Sequence, residues 1–206
     1  MNLYRTMTAE LPRVVQGGRV FGLVTAVVTN NQDPDNRGRV KVKYPWLAAN
    51  EESPWARVAT PMAGGGRGWL VLPEVGDEVL VGFEHADMAS PYVLGGLWSG
   101  TDAPPTAEGD GRDRKVFRSR TGHLIRLDDT SGSTKVEIVD KSGGNSIVID
   151  SEGNRVTITA DQDIVLTAPK GKIRLEAKEL EVAVSATGKV EASGTLTLKG
   201  ATVNIN

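Results

Sequence analysis

Seven acidic and histidine side chains have the types and spacing that acid–base chemistry needs. They fall in three short stretches, which are Glu51 and Glu52; Glu74, Asp77 and Glu78; and His85 and Asp87. Paired carboxylates can serve as general acid and general base. All three stretches are polar and turn-like, however, and charges in such stretches are ordinarily solvated. We therefore predict that the protein has no catalytic residue and is not an enzyme.

Two further stretches resemble ligand-binding loops only in part. The glycine run GGGRG at 64–68 lacks the Gly-Lys-Ser/Thr ending of a phosphate loop, and no helical pattern follows it. The stretch NNQDPDNRG at 30–38 spaces acidic residues as calcium loops do, but it lacks the remaining ligands. There is no cysteine, and the lone His123 is interpreted as structural or exposed. We expect neither a cofactor nor a metal.

These residues belong to a chain whose two halves differ in composition. All four tryptophans and all three tyrosines precede residue 99, and nine of the ten prolines lie at or before Pro105. Between the halves, SGTDAPPTAEGDGRDRK is rich in Gly, Pro and charge and has no apolar periodicity. The predicted divisions are an N-terminal segment at 1–18, a barrel at 19–98, a linker at 99–116 and a repeat region at 117–206.

The first half is predicted to be a small all-β domain. Runs rich in Val and aromatic residues, such as GRVKVKY at 38–44, alternate with turn signals such as LPEVG at 72–76. Five or six short strands in about 80 residues suit a closed Greek-key barrel of the OB type. We expect the tryptophans to pack this barrel and its contacts with neighbouring barrels. The alternative is a binding module for single-stranded nucleic acid or glycan, with a β-solenoid tail.

Charge argues against the nucleic-acid alternative. The net charge is −2, and the first 116 residues carry 12 basic and 14 acidic side chains without a basic stripe. No apolar run approaches the roughly 18 residues of a membrane span, and the first 18 residues lack the apolar region of a signal peptide. We therefore expect no nucleic-acid partner, and assembly in the cytoplasm without a signal peptide.

The second half repeats a short unit in which two aliphatic residues stand two positions apart. The units recur at intervals of 6 to 11 residues, which is the signature of a repeat architecture. We predict that their side chains form the core of this half, and the residues are Val136, Ile138, Ile147, Ile149, Val156, Ile158, Ile164, Leu166, Ile173, Leu175, Val182, Val184, Val190, Leu196 and Leu198.

One such unit cannot stabilise itself. Burying two aliphatic side chains gains about 3–6 kcal/mol, whereas ordering eight or so residues costs about 8–16 kcal/mol of backbone entropy. A single ribbon without aromatic residues also leaves one face and both edges open. Three copies wound around one axis would close them. The predicted fold is therefore all-β, with an N-terminal OB-type Greek-key barrel followed by a C-terminal intertwined triple-stranded β-helix, a β-prism formed by a homotrimer.

Three stretches of the sequence resemble proteins of contractile injection machines. GRVFGLVTAVVTNNQDPDNRGRVKVKYPWL and WARVATPMAGGGRGWLVLPEVGDEVLVGFEHADMASPYVLGGLWSG resemble the OB domain of the phage baseplate V family and of type VI VgrG proteins. FRSRTGHLIRLDDTSG, at 117–132, resembles the start of the VgrG needle. The resemblance implies a short-form central spike at the baseplate of a phage tail, an extracellular contractile injection system or a type VI-like machine. Such a trimeric needle pierces the target envelope and is not an enzyme.

The resemblance also implies partners. A hub protein of the baseplate would contact residues 1–18. Some short phage spikes bind iron through a His-x-His pair near the tip, but this sequence has no histidine after His123. We expect instead that a separate PAAR-like tip protein docks on Val203, Ile205 and Asn206. The needle would contact the target membrane only transiently, as the particle is delivered to or through the target envelope.

Overall fold

The computed structural model describes residues 15–16, 19–48, 51–105 and 111–204. One turn of 3-10 helix, Glu84–Ala86, interrupts a chain of strands. No helix within the described ranges is long and apolar enough to cross a membrane. The strands are, in chain order, β1 (Val15–Gln16), β2 (Arg19–Val20), β3 (Val24–Asn30), β4 (Arg39–Lys43), β5 (Ala56–Val58), β6 (Ala63–Gly64), β7 (Arg67–Gly68), β8 (Glu78–Phe83), β9 (Pro91–Leu97), β10 (Arg114–Arg118), β11 (Leu124–Asp128), β12 (Lys135–Val139), β13 (Ser146–Asp150) and β14 (Arg155–Thr159).

Five of these strands close into a barrel in the order β3, β4, β5, β9, β8. Every pair is antiparallel except β5 and β9, which run parallel. Counted from β3, the spatial order is first, second, third, fifth and fourth strand, which agrees with the five-stranded Greek-key barrel of the OB type. The predicted all-β class and the OB-type barrel are confirmed.

Alternating valines explain why these segments form a barrel. Strands β3, β4 and β8 bury every second residue, which is the period of a strand with one face toward a core. The fully buried hydrophobic side chains are mostly valines, and Tyr44 is the only aromatic among them in the described chain. Branched side chains of this size fill the narrow interior of a five-stranded barrel.

The tryptophans are expected to pack the barrel and its contacts with neighbouring barrels, but none of the four lies in the barrel core. Contacts between barrels stay a prediction. Trp46, Trp69 and Trp98 are all exposed. Tyr44 lies in the core instead, with its ring stacked on Trp46 at a centroid distance of 5.2 Å. Burial raises the pKa of the Tyr44 phenol to about 12. The larger indole rings lie around the barrel rather than inside it, because the valines already fill the interior.

The glycine run forms a tightly bent connection between two strands. Strands β6 and β7 pair as a short hairpin, and Gly66 at its turn has a φ of 66°. Gly68 has a φ of 153°, and a Cβ at this position would lie 2.8 Å from the carbonyl oxygen of Met62. A side chain does not fit there, so this glycine is required by the hairpin itself.

The second sheet is an antiparallel meander in which each strand from β10 to β14 pairs with the next. It begins at Arg114, shortly before the predicted start of the repeat region at residue 117, and it ends at Thr159. The first three predicted aliphatic pairs lie on β12, β13 and β14. No strand follows β14 within residues 160–204.

Candidate functional site

One face of the β10–β14 sheet carries two rows of apolar side chains. Neighbours within a row are directly opposed residues on adjacent strands, so their Cβ atoms lie about 4.5–5.5 Å apart. Residues two positions apart share a face, so both rows lie on the same side of the sheet. The first row consists of Phe117, Ile125, Ile138, Ile147 and Ile158, and the second of Leu127, Val136, Ile149 and Val156.

Three members of these rows are missing from the predicted core, namely Phe117, Ile125 and Leu127. The signal for two of them was present in the sequence. Ile125 and Leu127 stand two positions apart, and Ile125 precedes Val136 by the same interval that separates Val136 from Ile147. Phe117 carries no such signal, because it enters the row only through its pairing with Ile125.

The apolar face is uncovered in the single chain. Ile138, Ile147 and Ile158, at the centre and edge of the first row, are 49%, 41% and 58% exposed. A groove of about 450 Å³ runs along this face, and His123 lies among the residues that line it. Continuous exposed apolar surface of this kind marks an interaction site rather than a solvated surface.

The opposite face of the sheet carries both charged and aliphatic side chains, and several of its charges are paired within the chain. Asp128 and Glu137 are buried, with 3% and 7% of their surface exposed. Arg114 contacts Asp128 at 3.0 Å, and Arg126 contacts Glu137 at 2.5 Å. Lys135 approaches the second carboxylate oxygen of Glu137 at 3.3 Å. One chain therefore pairs several charges of this face but leaves the apolar face without a partner.

The buried carboxylate of Asp128 makes the stability of the folded chain depend on pH. The Thr130 hydroxyl and amide, with the Arg114 guanidinium, lower the pKa of Asp128 to about 2. This value lies below that of an unfolded Asp, about 3.9. The stabilisation is therefore complete above about pH 4 and is lost as the pH falls toward about 2.

We predict that Asp128→Asn lowers the thermal midpoint by about 5 °C or more at pH 7. The difference from the unaltered protein should shrink as the pH falls from about 4 to about 2. Thermal melting followed by circular dichroism across this range measures both effects. Asp129→Asn is the matched control, because Asp129 is exposed and its pair with Lys115 lies at the surface. Equal midpoints for Asp128→Asn and the control at pH 7 would contradict the assignment.

Residues 160–204, called the tail below, have no regular secondary structure in the single chain. The backbone–backbone hydrogen bond within the tail joins the Gly171 amide to the Ala168 carbonyl at 3.2 Å. Amide and carbonyl groups without partners make a segment available for pairing with another chain. The exposed aliphatic side chains of the tail include Ile164, Leu166, Ile173, Leu175, Val182, Val184, Val190, Leu196, Leu198 and Val203.

Ion pairs between residues two positions apart show that charged and aliphatic side chains lie on opposite sides of the tail. Arg174 contacts Glu176 at 2.5 Å, and Lys189 contacts Glu191. Residues two apart share a side when the chain is extended. Ile173 and Leu175 alternate with the first pair and therefore belong to the other side. The tail keeps the alternation of apolar and charged residues that a strand with one buried face requires.

The residues predicted to contact other proteins are described only in part. Val203 is exposed. Ile205 and Asn206 lie outside the described residues, and so does most of the segment 1–18. Docking of a tip protein and of a hub protein at these positions stays a prediction.

Three of the seven residues considered for acid–base chemistry make separate contacts with other protein groups. Glu52 pairs with Lys41 at 3.1 Å, and Glu74 pairs with Arg120 at 3.3 Å. The Asp87 carboxylate accepts a hydrogen bond from the Ala89 amide at 2.9 Å within its own loop. Among the described residues, no group of three or more His, Asp or Glu side chains could hold a metal ion.

The acidic stretch NNQDPDNRG forms a turn that its own side chains hold together. Asp33 is buried and accepts bonds from the Arg39 guanidinium at 2.7 and 2.9 Å. It also accepts bonds from the amides of Asp35, Arg37 and Arg39. The Arg39 guanidinium, aided by these amides, holds the pKa of Asp33 well below its usual range. The carboxylate is occupied by protein donors and serves the structure of the loop.

The barrel defines the class of protein to which this chain is similar. Residues 24–98, which span strands β3 to β9, match the family model of the type VI secretion system/phage-baseplate injector OB domain. Residues 24–98 are therefore similar to an injector OB domain.

Two of the following three similar proteins are named spike proteins, and the third is named a toxin. The chain is 33% identical over 122 residues to the type VI secretion system spike protein VgrG3 of Vibrio cholerae, over 57% of this chain and 11% of that protein. It is 28% identical over 148 residues to the spike protein VgrG2a of Pseudomonas aeruginosa, over 68% of this chain and 18% of that protein. It is 29% identical over 122 residues to the actin cross-linking toxin VgrG1 of Vibrio cholerae, over 57% of this chain and 11% of that protein.

The chain thus spans less than a fifth of the length of each of these relatives. The matches nevertheless confirm the resemblance that the sequence motifs indicate. The chain is similar to VgrG-like baseplate and spike proteins.

Proposed function

We propose that the chain is a structural subunit of a trimeric spike, without enzymatic activity. The observation that carries the proposal is the apolar face of the β10–β14 sheet, which continues across five strands and has no cover within the described chain. Each large aliphatic side chain that becomes buried contributes about 1.5–3 kcal/mol. The names of the relatives VgrG3 and VgrG2a support a structural spike role.

The tail favours three chains wound together over two sheets packed face to face. Two facing sheets would cover the apolar rows but would leave the tail without partners for its amide and carbonyl groups. In an intertwined β-helix, each tail segment pairs with segments of two other chains, and its aliphatic pairs point toward the shared axis. A closed threefold ring also leaves no unpaired copy of the interface.

In this proposal the trimer core contains the predicted aliphatic residues from Val136 to Leu198, together with Phe117, Ile125 and Leu127. Residues 19–98 form a collar of three barrels, residues 99–116 connect it to the needle, and residues 117–206 form the needle. The 12 basic and 12 acidic side chains of residues 117–206 balance one another. This balance limits repulsion between three chains that run side by side.

The function of such a spike is mechanical. Contraction of a sheath would drive the needle, at the centre of a baseplate, into the envelope of a target cell. The subunits would assemble in the cytoplasm before delivery. A hub protein at the collar side and a PAAR-like protein at the tip complete the proposed assembly. The charged outer side of the needle lets it pass through water without binding other surfaces.

Negative-stain electron microscopy of the purified full-length chain tests this arrangement. The proposal predicts a collar of three barrels from which one straight rod projects along the threefold axis. A particle with three separate flexible tails would contradict the shared needle. A rounded particle without a rod would contradict the spike function itself.

A further inference from the structure

A second surface of the barrel, which we call the arginine cleft, takes no part in the apolar face. It encloses about 460 Å³. The cleft lies where β4 and β5 meet the β3–β4 loop and the β8–β9 loop, which is the position where OB barrels bind their ligands. The side chains that concern its chemistry are Arg37, Arg39, Trp55, Arg57, Glu84 and Tyr92.

Strand register brings positive charges together in this cleft. Arg39 on β4 is directly opposite Arg57 on β5, which in turn is opposite Tyr92 on β9. Like charges in directly opposed positions destabilise a sheet unless other groups compensate them. Asp33 compensates Arg39 through two hydrogen bonds. Within the described chain, no carboxylate forms an ion pair with Arg57. Its guanidinium instead lies over the ring of Tyr92, 5.5 Å from the ring centroid.

Arg37 adds a second guanidinium with spare hydrogen-bond donors. Its contact with Asp35 is long, at 3.8 Å, and both side chains are more than half exposed. An exposed pair of this kind contributes little. Arg37 and Arg57 therefore both line the cleft without a strong partner. An arginine offers a planar fork of donors that matches a carboxylate or a phosphate.

The rest of the cleft favours separate carboxylates over a nucleic-acid strand. The Arg39 guanidinium and the Lys41 ammonium group lie over the ring of Trp55, at 5.8 and 5.6 Å from the ring centroid. These cations occupy the ring surface that a base would need for stacking. Glu84 accepts a hydrogen bond from the Tyr92 hydroxyl at 2.8 Å. Its carboxylate repels phosphates and carboxylates alike, so the covered ring of Trp55 is the feature that disfavours a nucleic-acid strand.

The loop that closes the cleft is held in an uncommon conformation. His85 and Ala86 both have a positive φ, at 49° and 65°. Such conformations cost free energy and are concentrated at binding sites and active sites. Hydrogen bonds from Asp87 to Glu84 and from Ser90 to Asp87 hold this loop.

We propose that the arginine cleft binds an acidic peptide segment of a partner protein, with carboxylates paired to Arg37 and Arg57. Paired guanidinium–carboxylate contacts are strong and directional, so a short segment suffices. The cleft of about 460 Å³ has room for a few side chains of such a segment. The site would give the collar a binding activity that does not depend on formation of the needle.

Fluorescence polarisation with a labelled oligoglutamate peptide tests the proposal on the full-length chain at low salt. The peptide should bind saturably to the unaltered protein. Arg57→Glu and Arg37→Glu should each weaken binding by about tenfold or more, because each places a carboxylate against the peptide. Arg118→Glu is the matched control, since it makes the same charge change at an exposed position outside the barrel.

Several outcomes would overturn the proposal. One is the absence of saturable binding, and another is an equal loss of affinity in Arg118→Glu. Tighter binding of a labelled oligothymidylate of the same length would replace the acidic peptide with a nucleic acid. Arg37 lies in an exposed loop. Arg37→Glu therefore keeps the test decisive even where Arg57→Glu disturbs the barrel, which thermal melting would reveal.

Discussion

Ile158→Asp should prevent assembly of the trimer and leave single chains in solution. Ile158 lies at the edge of the first apolar row, directly opposite Ile147. In the proposed prism, three new carboxylates would meet near one apolar axis. Removing each charge from water costs several kcal/mol, and the facing Ile147 offers no hydrogen-bond or ion-pair partner. We expect the concentration needed for assembly to rise by at least about a thousandfold.

Thr157→Asp is the matched control for this variant. Thr157 is the preceding residue of β14 and points to the opposite side of the sheet. The same charge placed there remains in water, so this variant should assemble as the unaltered protein does. Native mass measured by light scattering distinguishes the two. Recovery of a normal amount of trimer from Ile158→Asp would show that the apolar face is not the interface.

Trypsin should cleave the tail of a Leu166→Asp variant at least about a hundredfold faster than the tail of the unaltered protein. In the single chain, the tail has exposed lysines and an unpaired backbone, which suit a protease. In the proposed needle, cleavage would require three interlocked chains to separate locally. An aspartate at Leu166 would weaken that packing beside the cleavage sites at Lys170 and Lys172.

The control for this experiment is Thr167→Asp, which adds the same charge on the outward side of the tail. It should be as resistant as the unaltered protein. Cleavage can be followed by mass spectrometry of the released peptides over time. Rapid cleavage of the unaltered assembly at Lys170 or Lys178 would mean that the tail is not shared between chains.

The barrel is the part of the fold that local pattern predicts well. Alternating valines in GRVKVKY and the turn chemistry of NNQDPDNRG each specify local structure without help from distant residues. The placement of the tryptophans was not predictable in the same way. Burial of a large ring depends on the width of the closed barrel, and that width is a property of all five strands together.

The sequence predicts the aliphatic positions of the second half but not their pairing. Spacing alone does not show that β10 to β14 pair within one chain as far as Thr159. The short turns between these strands allow local hairpins, whose contacts join residues close in sequence. Beyond Thr159 the same spacing continues without in-chain strand pairing. The proposed trimer would explain this difference, because its tail segments pair with two other chains.

The arginine cleft could not be predicted from the sequence either, because it depends on how distant strands pair. Arg39 and Arg57 are far apart in the sequence, and neither stands in a recognisable basic motif. Their proximity follows from the register between β4 and β5. Overall charge counts, which are nearly balanced, conceal a local cluster of this kind.

The native mass of the purified full-length chain, measured by light scattering after size-exclusion chromatography, tests the central claim most directly. The proposed spike predicts a single species of about 66 kDa, three times the 21.9 kDa of one chain. Serial dilution should leave that mass unchanged, because intertwined chains separate slowly. A stable monomer of 21.9 kDa would contradict the account. The apolar face and the tail would then not be buried against other copies of the chain.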